Sequence, residues 1–592
     1  KRESPRDFTP FWMTTPEREE HPVKGDAPNE VTLPGIMMLF KPVQPAKALL
    51  PMDVTLVGIE ISVRPVQPAK AEFPLFAGCS GLKSVTLPSS VTTIGKTAFA
   101  GCPSLERVIL QDGVVAINAS LFAGCSGVRS VVIPSSVTAI GDYAFKDCID
   151  LKSITIPAGV KSIGAAPFSG CTALEEVVLS DGLASIGDSF FAGCSGLKQV
   201  SLPSSVTSIG SYAFKDCTGL QSISIPGGVT TIGTAPFSGC TSLENIVIQE
   251  GMTSLSPSLL VGCTGLKNVT IPGSVTTIDK SAFAGCASLE SVTIQDGLAA
   301  INDSLFAGCA GLRSVVIPNT VTRIGNYAFK DCADLKSITI PGSVTSIGKT
   351  PFSGCASLES VVLQDGVTFI SDSLFAGCIG LRRVSIPGSV TRIANYAFSG
   401  CRELSGVEIP STIVSIGDYA FKGCTRLGSI VIPGGVSSIG RGVFNDCTSL
   451  SSATLGDGLG LVSDYLFAGC ISLRNVSLPA GVAKIGSHAF SGCRGLAGIS
   501  LPASVSSIGE CAFKDCLGLK GFTIPGGVIS IGASPFSGCT ALESVVIQEG
   551  VTAIGDFLFA GCTGLRNVTI PESVVSIGDS AFSGCSSLTA VD

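Results

Sequence analysis

Between Cys79 and Cys102 the chain reads Cys-Ser-Gly-Leu-Lys-Ser-Val-Thr-Leu-Pro-Ser-Ser-Val-Thr-Thr-Ile-Gly-Lys-Thr-Ala-Phe-Ala-Gly-Cys. With Cys79 as position zero, Leu82 stands at +3, Val85 at +6, Leu87 at +8 and Pro88 at +9. Val91 follows at +12, Ile94 at +15, Gly95 at +16, Ala98 at +19 and Phe99 at +20. The next cysteine restarts the count. From Cys79 to Cys585 every interval is 23 residues, without insertion or deletion, and only Cys511 falls off this grid. A fixed period in the range of about 20–50 residues is the mark of a stacked array. Length alone (592 residues) suggests about four domains. The period replaces that count with one repeated unit in a quasi-one-dimensional stack.

Each rung carries a local structure in its letters. Positions +5 to +8 alternate outward and inward, as a short strand does. Proline at +9 ends the strand, because it has no N–H for a ladder. Glycine at +16, replaced by Asn118 and Asn302 in two rungs, predicts a left-handed corner. Ala-Phe-x-x-Cys is too short for a regular helix and predicts a helical or 3₁₀ turn. One rung offers about six large apolar side chains, worth roughly 1.5–3 kcal/mol each when buried. Ordering its 23 backbones costs about 1–2 kcal/mol apiece. A single rung therefore cannot fold alone, and stacking must close its core.

Leu151, Ile154, Ile156, Pro157, Val160, Ile163, Gly164, Phe168 and Cys171 carry this pattern in one rung, and together they resemble the Treponema-type, BspA-like leucine-rich repeat. The resemblance covers about 73–592: 22 full rungs and a partial last one. It implies a leucine-rich-repeat solenoid, β-dominated, with a parallel sheet on one face and short turns, 3₁₀ or single helical turns on the other. It also implies a secreted or cell-surface protein that adheres to host matrix or to other cells, with a protein or glycan as ligand. It supplies no catalytic residue to transfer.

Composition limits the other classes. Lys+Arg total 38 against 45 Asp+Glu, a net charge of −7, which argues against a nucleic-acid binder. Charged residues are only 14% and apolar ones 45%, unlike a disordered chain. No run of 18 apolar residues predicts a membrane-spanning helix. No motif calls for a cofactor or metal, and no catalytic constellation is visible, so the expectation is a non-enzymatic protein.

Residues 1–72 differ from the array. They hold the only Trp and four of the five Met, and Pro-Val-Gln-Pro-Ala-Lys-Ala recurs at 42–48 and 65–71, again 23 apart. That predicts a Pro-rich arm, mobile over 1–20, and a degenerate N-terminal cap. The last rung stops after Cys585, Leu588 and Val591. An uncapped apolar edge predicts either further chain or end-to-end self-association, and with it an alternative role as the subunit of a self-assembling fibre.

Three features vary within the repeat. The cysteine ladder reads as buried free thiols, with inter-rung disulfides or metal binding as alternatives. All six Tyr fall at +18, including Tyr396, Tyr419 and Tyr465; His488, Cys511 and Phe557 share the column. These side chains either lie over the turn or form a contact strip for a protein. Cys511 reads as an exposed thiol. A Cys511–His488 nucleophile finds no acid and no oxyanion signal in the sequence. Asn118, Asn268, Asn302, Asn475 and Asn567 begin Asn-x-Ser/Thr sequons, which arise either as glycan acceptors or by chance in a Ser/Thr-rich chain. The outward +5 and +7 positions form a flat, weakly polar face suited to weak, multivalent contact. At +4, alternating Lys, Arg and Glu predict charge pairs across rungs.

Overall fold

The structure is a computed structural model that describes residues 76–592, together with the strand backbones Met38–Phe40 and Ile59–Val63. By contacts the chain divides into a first unit ending at Leu289 and a second from Glu290 to Asp592. Both are built from the same 23-residue rung, in which each turn of chain bonds to the turns before and after it.

The first ladder is a parallel sheet of short strands. In the first unit Arg107–Leu110 pairs in register with Leu82–Leu87, Val108 beside Val85 and Leu110 beside Leu87. In the second unit Ser360–Leu363 pairs with Ser337–Ile340 in the same way. Burial alternates as the sequence predicts: in Arg107–Leu110 the residues run exposed, buried, exposed, buried. Only one register keeps every +6 and +8 side chain inside, because a one-residue slip would turn the apolar set outward. The proline carbonyl then accepts from the +12 amide, as Pro88 does from Val91 at 2.9 Å, and closes the first turn. Upstream, Ile59–Val63 pairs in parallel with Leu82–Leu87 with a one-residue register shift, and with Met38–Phe40. The proposed arm at 1–20 and the paired Pro-Val-Gln-Pro segments lie outside the described residues.

A second ladder was not anticipated. Two-residue strands at +14 and +15 pair in parallel, Ala116 with Ala139 and Ile117 with Ile140 in the first unit, Ser415 with Ser438 and Ile416 with Ile439 in the second. A third set of bonds joins the turns: Tyr143 donates to the Ala165 carbonyl at 2.9 Å, Phe145 to Pro167 at 2.8 Å and Asp147 to Ser169 at 2.8 Å. Three ladders per rung satisfy most of the backbone that stacking buries.

The expected left-handed corner at +16 is corrected. Glycine there does not take a positive φ; it allows close approach. A Cβ on Gly141 would stand 2.4 Å from the Ala119 nitrogen of the preceding rung. Asn118, in place of that glycine, takes the ordinary backbone too and donates its amide to the Ile94 carbonyl. The left-handed residue is two places on, at +18, with φ between 49° and 58° from Thr97 to Ser580. Only Gly442 is glycine there; the rest accept a conformation that costs L-residues about 1–2 kcal/mol. That residue, and a second positive φ just before each cysteine (Gly101, φ 70°; Asp147, φ 59°), keeps the turn from propagating as a helix. What results is a pair of short turns, Ala123 to Ser120 at 3.2 Å and Cys125 to Phe122 at 3.1 Å, and no helix is present among the described residues.

The inward positions make one continuous core in each unit. Leu105, Phe122, Cys125 and Val137 are wholly buried, as are Leu381, Phe398, Cys401 and Ile413. The +20 phenylalanines stack rung on rung: Phe329 and Phe352 lie 5.1 Å apart and 5° from parallel, and Phe490 and Phe513 lie 5.1 Å apart at 4°. Stacked aromatic pairs add about 0.5–1.5 kcal/mol beyond their buried area. In the first unit Leu260 takes the phenylalanine position after Phe237.

Candidate functional site: the turn column from Tyr396 to Cys511

All 24 cysteines are free thiols, and the ladder members are buried except at Cys585, which is half-buried. Their regularity has a local cause. The ladder thiols donate to the carbonyl at +20 of the preceding turn, as Cys148 does to Phe122 at 3.2 Å and Cys424 to Phe398 at 3.3 Å, and Cys286 to Leu260 at 3.2 Å. A small apolar side chain that can also satisfy a buried carbonyl suits this place better than alanine or valine. Burial pushes the Cys171 and Cys447 thiols up to about 12, so they stay protonated at neutral pH. The ladder is structural.

The outward face of the main sheet is plain. Asn268, Asn475 and Asn567 lie on it exposed, whereas Asn118 and Asn302 at +16 are half-buried. Val132 and Val316, at +7, are 73% and 76% exposed; Val316 lies between Thr293 and Thr339, and Val132 between Ile109 and Thr155. The +4 charges pair across rungs as expected: Lys267 with Glu244 at 3.1 Å, Arg313 with Glu290 at 3.1 Å and Lys336 with Glu359 at 3.9 Å. All six side chains are about half exposed or more, so each pair is weak and serves solubility and register.

The +18 column is different. Its left-handed backbone projects side chains that the core does not need, and rungs therefore differ there. Tyr143, Tyr212, Tyr327 and Tyr396 are 43–45% exposed and Phe557 is 46% exposed. Lys146 and Lys215 lie over the Tyr143 and Tyr212 rings at 5.8 and 5.9 Å. A shallow, open depression lies beside Tyr212, Lys215 and Asp216.

From Tyr396 to Cys511 the column becomes a nearly continuous strip. Tyr396 and Tyr419 stack at 5.3 Å. Lys422 lies over Tyr419 at 5.4 Å. Gly442 then leaves room that the Tyr419 ring occupies, since a Cβ there would stand 2.3 Å from it. Arg441 covers Tyr465 at 4.5 Å, and Tyr465 stacks on His488 at 4.6 Å. The strip thus couples four aromatic rings to two cations in a row spaced by the rung.

At its end the expectation for Cys511 is corrected. It is 9% exposed rather than an open thiol. Burial raises its proton affinity; Glu510 and Asp515 add to the shift and Lys514 opposes it. The expectation that no acid accompanies His488 and Cys511 is also corrected: Glu510, next to Cys511 in the chain, stands beside both. Ligand atoms of all three residues lie within 4.8 Å of one another. The His488 amide donates to the Glu510 carbonyl at 2.8 Å, which fixes the two rungs against each other. Glu510 stands at +17, one place before the column that drew attention, and that adjacency hid it.

No helix among the described residues is long and apolar enough to cross a membrane. The class defined by these ladders is the leucine-rich-repeat solenoid. The BspA type Leucine rich repeat region matches over 71–175, 161–289, 277–405, 391–520 and 460–589, and the chain belongs to that family. Solved structures similar to it include a leucine-rich repeat protein from Bacteroides ovatus, 28% identical, covering 73% of this chain and 86% of that one with a TM-score of 0.31. A leucine rich cell surface protein from Faecalibacterium prausnitzii is 29% identical over 63% of this chain and 87% of its own, with a TM-score of 0.33. The T. pallidum leucine rich repeat protein is 33% identical over 27% of this chain and 77% of its own, with a TM-score of 0.26. A search of curated proteins found no match.

Proposed function

We propose that this chain is a non-enzymatic extracellular or cell-surface leucine-rich-repeat protein that binds a protein or glycan on matrix or cells. Family membership supports protein binding as the general role. The observation that carries the reading is the strip from Tyr396 to His488, where stacked rings and their cations stand half-exposed on a scaffold with no other use for them. Tyrosine and arginine are the residues that most often anchor protein interfaces. The flat sheet face adds weak contacts repeated at each rung, and such contacts gain strength by number. Phe557 extends the column two rungs beyond Cys511.

Solid-phase binding of the purified chain to immobilised matrix proteins and to intact cells tests the reading. Saturable binding that weakens when Tyr396, Tyr419 and Tyr465 become serine, the residue most common in that column, is the expected result. Binding to none of them, with the protein confined inside its cell of origin, would overturn it. Filaments of the purified chain in negative-stain images would instead favour the fibre-subunit alternative and self-association as its main contact.

A further inference from the structure

We propose that His488, Glu510 and Cys511 form a binding site for a zinc-class divalent metal ion that pins two neighbouring rungs together on the turn side. Two departures from the repeat meet a carboxylate there. Cys511 is the only cysteine off the 23-residue grid. His488 is the only histidine within the repeats, and Glu510 supplies at +17 the carboxylate that Asp464 and Asp556 supply in other rungs, on a side chain one methylene longer. Random drift in 22 rungs would scatter such residues; the fold instead brings their nitrogen, oxygen and sulfur atoms within 4.8 Å of one another. An imidazole nitrogen, a carboxylate oxygen and a thiolate are a donor set for zinc.

The geometry separates this reading from a nucleophile relay. A Cys–His–acid relay places the acid and the thiol on opposite nitrogens of the ring, so that the two stand well apart. Here the carboxylate oxygen and the thiol sulfur lie within 4.8 Å of each other as well as of the imidazole, around one common volume. A tetrahedral ion with ordinary Zn–N, Zn–O and Zn–S lengths holds its ligand atoms about 3.3–3.8 Å apart, so side-chain rotation of about 1 Å closes the set. Tyr465 stacked on His488 limits the ring to a narrow range of positions, as outer partners of metal-bound histidines do. Binding releases the Cys511 proton to solvent and leaves imidazole neutral and carboxylate ionised. Three protein ligands leave a fourth position for water or for a group from outside.

The test uses the full chain, reduced and free of metal, titrated with Co²⁺ alone and then with Zn²⁺. One equivalent of Co²⁺ is expected to produce a thiolate-to-cobalt absorption band, which Zn²⁺ abolishes. Cys511→Ser removes the band; His488→Ser and Glu510→Ala each weaken Co²⁺ binding by at least about tenfold. Each variant installs a residue that the same column already holds elsewhere, as in Ser534 and Ala533, so folding is preserved. No band at stoichiometric Co²⁺ would overturn the proposal. So would a band of equal strength in Cys511→Ser, which would place the metal on the cysteine ladder.

Discussion

The sheet face and the turn column are hung on the same core, yet they have diverged in opposite ways. Positions +5 and +7 are mostly Ser, Thr, Asn and Val with scattered Arg, Gln, Glu and Gly, as at Arg107, Glu176 and Gly521, while +18 runs from Ala and Ser to Tyr, His, Cys and Phe. On the sheet face each side chain has a neighbour one strand spacing away on either side, so an odd residue disturbs two others. At +18 the backbone is left-handed in every rung whatever the residue, and the inward positions already fill the core. The array thus places its tyrosines, its one repeat histidine and its off-grid cysteine where they cost the fold least. The contrast teaches that in a repeat protein the strained position, rather than the ordered sheet, can be the one free to acquire function.

Raising the pH attacks the core that both regions share, and its effect should be the largest. Cys171 and Cys447 are pushed up to about 12 by burial, whereas an unfolded thiol titrates near about 8.5. Their folded-state pKa is raised, so their contribution is fully present below about pH 8.5 and is lost as pH climbs towards about 12. Burial raises Cys148, Cys194, Cys424 and Cys470 as well, so melting temperature is expected to fall over that window, and a flat profile to about pH 11 would contradict buried thiols. Next in size is Phe329→Ala, which breaks the stack with Phe306 and Phe352 and should cost about 3–5 kcal/mol. Hydrogen exchange should show loss of protection on the sheet and the turn of the same rungs, since both rest on that ring.

Smaller changes separate the two regions. Cys424→Ala removes the donor to the Phe398 carbonyl and should cost about 1–3 kcal/mol, read as faster exchange in the turns that adjoin it. Thr350 is β-branched at φ 54° and its hydroxyl is buried without a partner. Thr350→Gly should therefore stabilise its rung by about 1 kcal/mol, whereas Gly442→Thr would collide with the Tyr419 ring and destabilise it. Differential scanning calorimetry of the pair checks the opposite signs.

The period, the inward positions, the strand ending at proline and the charge pairs were legible in the sequence because each is a property of one column read down the array. Lys267–Glu244 and Arg313–Glu290 are cases in point. What escaped depends on geometry between columns. Gly141 looked like a conformational residue but is a steric one, and only the distance to Ala119 shows it. The two-residue strands such as Ala116–Ile117 are too short to leave an alternating pattern. Glu510 escaped because it stands at +17, while its partners His488 and Cys511 were read down the +18 column, His488 one rung earlier. Position +18 itself was legible as a variable column, though nothing in Tyr, His or Cys as residue types marks a left-handed backbone.

The claim that binding specificity resides in the turn column is tested most directly by pairing two multiple variants in one binding assay. In the first, Tyr396, Tyr419 and Tyr465 become serine; in the second, the exposed sheet residues Val316, Val362 and Val431 become threonine, as their column already allows. Circular dichroism and melting should be unchanged in both. The account predicts that the turn-column variant loses binding to cells or matrix by at least about tenfold while the sheet variant keeps most of it. Loss confined to the sheet variant would contradict it.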